Sequence, residues 1–374
     1  VKLTLPGRVA GLSLVAALAL TACGSDNTTG DSTPSAADSA ASSGPALSGT
    51  LNGEGSSAQK NAIGEVISGY QSANPGVTVN YNATGSGAGI KQFLAGQVDF
   101  AGTDSALKSE EKDGVVETEA AKTRCGGNDA WNLPLVAGPI AITYNLPGVD
   151  KLVLTPSVAS QMFLGKITKW NDPKIAALNS GATLPATDIK VFYRADESGT
   201  TENFTKYLNG SAPADWAAEP AKVWPGTTGE GRPQTDGVAQ GVKSTEGGLS
   251  YMEWSAAKDN QLGVAQVDNG AGAVALTGET AGKAVAAAAA AGEGNDLKLK
   301  LDYAVKDAGT YPIVLVTYEV VCSKGLAADK TALVKSFLTY FASPDTQKGL
   351  EEIGYAPLPE DVRGKVVTAI NAIS

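Results

Sequence analysis

From Leu47 onward, short β-favouring runs alternate with stretches whose apolar positions recur at helical spacing. Leu47 to Asn52 reads as a strand, and Ala58 to Tyr70 places Ile63, Val66, Ile67 and Tyr70 on one helical face. Val77 to Tyr81 predicts a second strand, Ile90, Phe93 and Leu94 a second helix, and Val98 to Ala101 a third strand. This alternation predicts parallel α/β packing. Leu135 to Asn145, following Asn132, is an apolar β-favouring run that marks passage into a second lobe. Phe163 to Lys169, with Trp170-Asn171-Asp172-Pro173, reads as a helix end and turn. Ile189 to Tyr193 predicts a strand, and Phe204, Tyr207 and Leu208 the helix after it. Ala284 to Ala291 is nearly pure alanine and predicts a short surface helix. Ile313 to Cys322 is a β-favouring run assigned back to the first lobe, and Leu333 to Phe341 an amphipathic helix. A chain of 374 residues is long for one ordinary core, which predicts two lobes or a domain with an insertion.

The region before Leu47 follows neither pattern. Lys2 and Arg8 precede an apolar run from Val9 to Leu20, too short to span a bilayer comfortably. It reads as a signal peptide over residues 1–23. Leu20-Thr21-Ala22-Cys23 resembles a bacterial lipobox, in which the cysteine becomes the lipidated first residue; an ordinary secretory signal with an incidental cysteine is the alternative. Residues 24–46, rich in Ser, Thr, Gly, Ala and Asp, bury too little surface to offset ordering entropy and predict a flexible tether.

Charge narrows the function classes. The net charge is -10 and there is no histidine. Nucleic acid is an unsuitable partner for so acidic a chain. Missing histidine removes the commonest general base and metal ligand. Cys23, Cys125 and Cys322 show no CxxC spacing, so no metal site or cofactor is predicted. In an oxidising compartment Cys125 and Cys322 can form a disulfide, two buried thiols being the alternative.

Candidate chemistry lies in three turns. Gly53-Glu54-Gly55-Ser56-Ser57, Gly85-Ser86-Gly87-Ala88-Gly89 and Arg194-Ala195-Asp196-Glu197-Ser198-Gly199-Thr200-Thr201 each lead from a strand into a helix. Helix starts offer unpaired N–H groups and a positive dipole end, glycine permits close approach, and hydroxyls add donors. Any one turn alone is explained by N-capping. Arg194 can present two parallel donors to a tetrahedral oxyanion, or pair with Asp196. Asp104 either caps the chain from Ala106 onward or accepts a hydrogen bond from an anion that keeps a proton. Phosphate keeps one near neutral pH and sulfate does not, so such a carboxylate would select between them.

These turns, with Asp99-Phe100-Ala101-Gly102-Thr103-Asp104, Leu164-Gly165-Lys166-Ile167-Thr168-Lys169-Trp170 and Gly354-Tyr355-Ala356-Pro357-Leu358-Pro359, occur in an order that resembles the phosphate-binding lipoproteins of the high-affinity phosphate ABC transporter. The resemblance covers nearly everything after the tether. It implies an α/β, two-lobed periplasmic-binding-protein-like fold of type II, with the ligand cleft between lobes joined by two crossings, near Asn132 and Tyr311. Lobe I would comprise 47–132 and 312–374, and lobe II 133–311. The implied ligand set is Ser57, Ala58, Ser86, Asp104, Arg194, Ser198, Gly199 and Thr200, with Asp104 accepting the phosphate proton. The implied partners are inorganic phosphate, permease subunits and the outer face of the membrane through the Cys23 anchor, the protein itself being a monomer. Ala58 stands where the family usually carries an aromatic, and Glu54 where it usually carries a small residue; Glu54 is expected to face solvent.

Two rivals follow from the same residues. A sulfate or molybdate binder is disfavoured by Asp104. A secreted serine acyl-enzyme hydrolase finds four Ser-x-x-Lys matches, at Ser57, Ser105, Ser109 and Ser255, but no Lys-Thr-Gly and a Ser-Asp-Asn only at Ser25 in the tether. Binding without chemistry is the expected mode.

Overall fold

Two strand–turn–helix units and a third strand open the folded region. A computed structural model describes residues 47–374, so the signal segment, Cys23 and the tether lie outside the described residues. The strand Gly49–Gly55 leads to the helix Lys60–Ala73, the strand Val77–Asn82 to the helix Ser86–Leu94, and the strand Phe100–Thr103 follows. The first helix buries Ala62, Ile63, Val66 and Tyr70, the face set by its apolar spacing. All three strands are parallel, Gly49–Gly55 lying between the other two. The third strand starts two residues later than its β-favouring run suggests. Register pairs Gly53 with Phe100 and Gly55 with Gly102, so Thr103 ends the strand and Asp104 emerges from its carboxyl end.

Among the described residues the largest sheet has nine strands. Its order from one edge is Val77–Asn82, Gly49–Gly55, Phe100–Thr103, Val314–Cys322, Ala130–Asn145, Gly248–Glu253, Lys190–Arg194 and Glu230–Arg232; Gly263–Val264 pairs beside Ala130–Asn145. The strand Ala130–Asn145 holds the two halves together. It runs antiparallel to Val314–Cys322 as far as Pro139, then to Gly248–Glu253 from Ile140. Its nearly continuous apolar sequence reflects burial along almost its whole length. The halves carry separate cores. One gathers Leu51, Phe100, Val321, Phe337 and Ile370; the larger gathers Ile142, Phe163, Trp170, Phe204 and Tyr251. The protein is thus mixed α/β with two lobes sharing one sheet.

One local expectation changes and another is met. The alanine run is helical only to the end of Gly278–Ala286; Ala289–Ala290 then pairs antiparallel with Leu299–Lys300. Alanine's helix preference amounts to a few tenths of a kcal/mol per residue, and tertiary pairing overrides it. Cys125 and Cys322 form a disulfide, with their Cα atoms 5.4 Å apart across 197 residues of sequence. It ties the end of the helix Glu117–Arg124 to the end of the strand Val314–Cys322. Closing so long a loop stabilises the fold by roughly 5 kcal/mol in the chain-entropy account.

Candidate functional site

Asp104 forms the floor of the cleft. It is 3% exposed and accepts three hydroxyl hydrogen bonds. Ser56 Oγ donates to Oδ1 at 2.6 Å, Thr317 Oγ1 to Oδ1 at 2.7 Å, and Ser86 Oγ to Oδ2 at 3.1 Å. Ser56 comes from the first glycine-rich turn, Ser86 from the second, and Thr317 from the strand Val314–Cys322. Burial pushes the Asp104 pKa up to about 6 against the pull of the three hydroxyls, with Glu253 adding to the rise. At neutral pH the group is therefore a carboxylate whose burial is offset by donors and not by a cation.

Arg194 ends the strand Lys190–Arg194 and is buried to the same degree. Its Nε donates to Asp196 Oδ1 at 2.8 Å, and Nη2 pairs with Asp196 Oδ2. Nη1 donates to Thr235 Oγ1 at 3.4 Å. Those three bonds leave two of the five guanidinium hydrogens free for an anion. Burial works against the cation, yet Asp196 and Glu253 hold its pKa above the ordinary arginine value. Asp196 is anchored in turn by the Gln234 N–H at 2.9 Å. Both readings of Arg194 are thus compatible, because the ion pair fixes the guanidinium plane without consuming it.

The helix Gly199–Ser211 supplies the third component. Ser198 caps it, its Oγ accepting from the Thr201 N–H at 3.2 Å. The N–H groups of Gly199 and Thr200 lie ahead of the intrahelical ladder and remain available as donors. The close approach requires glycine: a Cβ at Gly199 would fall 2.6 Å from both Asp104 Cβ and Ser86 Oγ. Gly85 meets the same wall with φ at +108°, where a Cβ would lie 2.5 Å from Asp196 Oδ2. Three helix starts, one guanidinium and one carboxylate therefore converge.

Contacts across the cleft hold it closed around this point. The Gly87 N–H donates to the Glu197 carbonyl at 3.0 Å. Lys91 pairs with Glu197 at 2.6 Å, Ser57 Oγ meets Thr235 Oγ1 at 2.9 Å, and Asn203 Nδ2 donates to the Asp104 carbonyl at 2.7 Å. Lys108 and Lys206 both pair with Glu202. Burial alone would raise the Glu202 pKa, but Lys206, Lys108 and Lys222 hold it at about 2.

All eight residues of the expected set lie at or beside this convergence, with two differences of detail within the set and one, at Glu54, beside it. The Ala58 N–H donates to Ser56 Oγ at 3.0 Å, and the Thr200 hydroxyl donates to Glu253 Oε1 at 2.6 Å. Glu54 is half-buried and accepts from Thr84 Oγ1 at 2.8 Å, where solvent exposure was expected, because the second turn folds back against it. Four participants lie outside the expected set: Ser56, Thr317, Thr235 and Glu253. Ser56 belongs to a turn already singled out, and only its neighbour was selected from it. Thr317 is the one aliphatic hydroxyl in a buried, mostly apolar strand. Thr235 donates to Glu253 Oε2 at 2.9 Å; it opens the helix Gln234–Lys243 in a stretch that carries Gly226, Gly229, Gly231 and Gly237, a signal that sequence reasoning passed over, whereas Glu253 ends the strand Gly248–Glu253. Among the described residues no group of three His, Cys, Asp or Glu side chains is arranged to hold a metal.

Comparison with known proteins identifies the family. Residues 40–345 match the model of the PBP superfamily domain. The chain is 42% identical over 380 residues to the phosphate-binding protein PstS 3 of Mycobacterium leprae, covering all of both chains. It is 42% identical over 374 residues to PstS 2 of Mycobacterium tuberculosis, covering 98% of each. It is 34% identical to PstS of Methanocaldococcus jannaschii over 85% of each. Among solved structures, a high-affinity periplasmic phosphate-binding protein, PfluDING, bound with phosphate superposes with a TM-score of 0.69 at 21% identity, covering 86% of this chain and 93% of that one. A putative phosphate ABC transporter substrate-binding protein from Clostridium perfringens gives 0.59 at 17% identity, covering 83% and 100%. Full-length identity, fold and the order of the three turns together place this chain in the PstS family of phosphate-binding proteins within the PBP superfamily.

Proposed function

We propose that the protein captures inorganic phosphate outside the cytoplasm and delivers it to an ABC-type permease. The observation that carries this reading is Asp104. A buried carboxylate facing a guanidinium and helix starts makes an anion site that tolerates only an anion bringing its own proton. Ser57, Ser86, Ser198, Gly199 and Thr200 surround the ion with N–H and hydroxyl donors, Ala58, whose N–H serves Ser56 Oγ, lies beside them, and Arg194 offers its two free hydrogens. Ser56 and Thr317 hold Asp104 as an acceptor. The Thr200 hydroxyl serves Glu253, so Thr200 contributes through its N–H.

The working cycle is hinge closure between lobe I, 47–132 with 312–374, and lobe II, 133–311. Phosphate touches both walls, so it favours the closed form by its differential affinity. The permease recognises that form, and a lipid on Cys23 keeps the monomeric protein at the outer face of the membrane. No bond is made or broken.

Calorimetric titration of the purified protein with phosphate, arsenate and sulfate tests this. Phosphate and arsenate should bind tightly, because both retain a proton at neutral pH, and sulfate weakly. Sulfate binding as tight as phosphate, or site-dependent turnover of a chromogenic phosphate ester, would overturn the reading.

A further inference from the structure

Beneath the site lies a second acid that the phosphate-contacting set does not use. Glu319 stands in the strand Val314–Cys322, two residues beyond Thr317 and on the same face, opposite Gly102 of the neighbouring strand. It is fully buried, and neither carboxyl oxygen has a hydrogen-bond partner. Its polar neighbour is Gln59, just before the helix Lys60–Ala73, whose Oε1 is likewise buried and unpartnered. Gly102 makes the space for this arrangement: a Cβ there would fall 2.1 Å from Gln59 Nε2 and 2.4 Å from the Tyr81 oxygen.

Hydrogen-bond polarity decides where the proton belongs. The Ser56 carbonyl can only accept, and Tyr81 O–H donates to it at 2.9 Å. Burial above all, then Glu319, holds the Tyr81 pKa well above its usual value, so the phenol keeps that proton. The Tyr81 oxygen then accepts from Gln59 Nε2 at 3.0 Å. An ionised Glu319 would stand in a dry interior without a close hydrogen-bond partner, which is costly. Burial acts in the same direction and pushes the Glu319 pKa up to about 8; Gln59 opposes the rise and Asp104 adds to it. The titratable groups facing Glu319 are Asp104, at the end of Phe100–Thr103, and Tyr81, from Val77–Asn82. Both are acids. The strand Ala130–Asn145 places Leu133 opposite it, and that strand's one titratable residue, Tyr144, pairs with Leu249 at the far end.

Resting on the phosphate-binding reading above, we propose that Glu319 carries a proton in the closed protein, so that no second carboxylate charge stands beneath Asp104 and beside the chain of Gln59, Tyr81 and Ser56. Loss of that proton sets the alkaline limit of phosphate capture. Glu319 is a positioning residue, acting on the ion through Asp104 and the Ser56 turn that holds it.

Carbon-13 NMR of protein labelled at glutamate carboxyls reads the protonation state directly, without phosphate. One carboxyl should titrate near pH 8, and its signal should vanish in Glu319→Gln. A spectrum in which every glutamate titrates in the ordinary carboxylate range overturns the proposal. Phosphate titration across the same range gives the second arm. Glutamine is uncharged like the protonated acid and close to it in shape, so Glu319→Gln should match the wild type at neutral pH. Above about pH 8 wild-type affinity should fall relative to the variant, towards about tenfold per pH unit, the limit for one linked proton. Comparing the two proteins cancels the ionisation of phosphate itself. Equal pH profiles, or a variant weaker at every pH, overturn the proposal. If the variant does not fold, the wild-type spectrum alone decides. A wild type that binds no phosphate removes the binding reading, while the spectrum still decides the state of Glu319.

Discussion

On one wall of the cleft a carboxylate is surrounded by hydroxyls; on the facing wall a guanidinium arrives already paired with a carboxylate. Asp104 receives Ser56, Ser86 and Thr317, and nothing cationic bonds to it among the described residues. Arg194 is locked by Asp196, and Glu253 takes the hydroxyls of Thr200 and Thr235. The inner site therefore sets one cation against three carboxyl groups. Net charge does not attract the anion; the ends of helices and directed hydrogens do. The Arg194 wall supplies charge at a fixed angle, and the Asp104 wall asks whether the anion carries a hydrogen.

Removing the charge should have the largest effect. Arg194→Ala leaves Asp196 and the bound ion without their cation in a buried place, and phosphate affinity should fall by about two to three orders of magnitude by calorimetry. Lysine at that position should restore only part of the loss, because it lacks the paired donors. Disturbing the acceptor wall should cost less. Thr317→Val deletes one of three donors to Asp104, and phosphate binding should weaken roughly tenfold. The loss should deepen as pH approaches 6, since with one hydroxyl fewer Asp104 protonates more readily. Salt should have the smallest effect. The charged groups are buried, so raising ionic strength should change affinity by roughly twofold or less; a steep dependence would mean that surface charge, and not the inner site, holds the ion.

Legibility followed the range over which each interaction acts. The three turns could be read because glycine, hydroxyl and helix start are neighbours in sequence, and Arg194 and Asp104 because each follows a strand directly. Thr317 and Glu253 could not, since only the folded sheet brings Val314–Cys322 beside Phe100–Thr103 and Gly248–Glu253 beside Lys190–Arg194. Glu319 offered a local signal: one carboxylate within an otherwise uncharged, fully buried strand. Its partners, Gln59 and Tyr81, meet it only through strand order. The two-lobed α/β fold was legible from alternating strand and helix patterns, whereas the single sheet running through both lobes depends on the strand Ala130–Asn145 changing partner, which no local pattern encodes.

The account turns on Asp104 reading the proton of the bound ion. Phosphate and sulfate affinities, measured by calorimetry for the wild type and Asp104→Asn on both sides of pH 6, test that most directly. Wild-type preference for phosphate should be strong at neutral pH and shrink below about 6, where Asp104 takes up a proton and no longer repels a proton-free anion. In Asp104→Asn the preference should be small at both. A variant that keeps the wild-type preference at neutral pH would contradict the account.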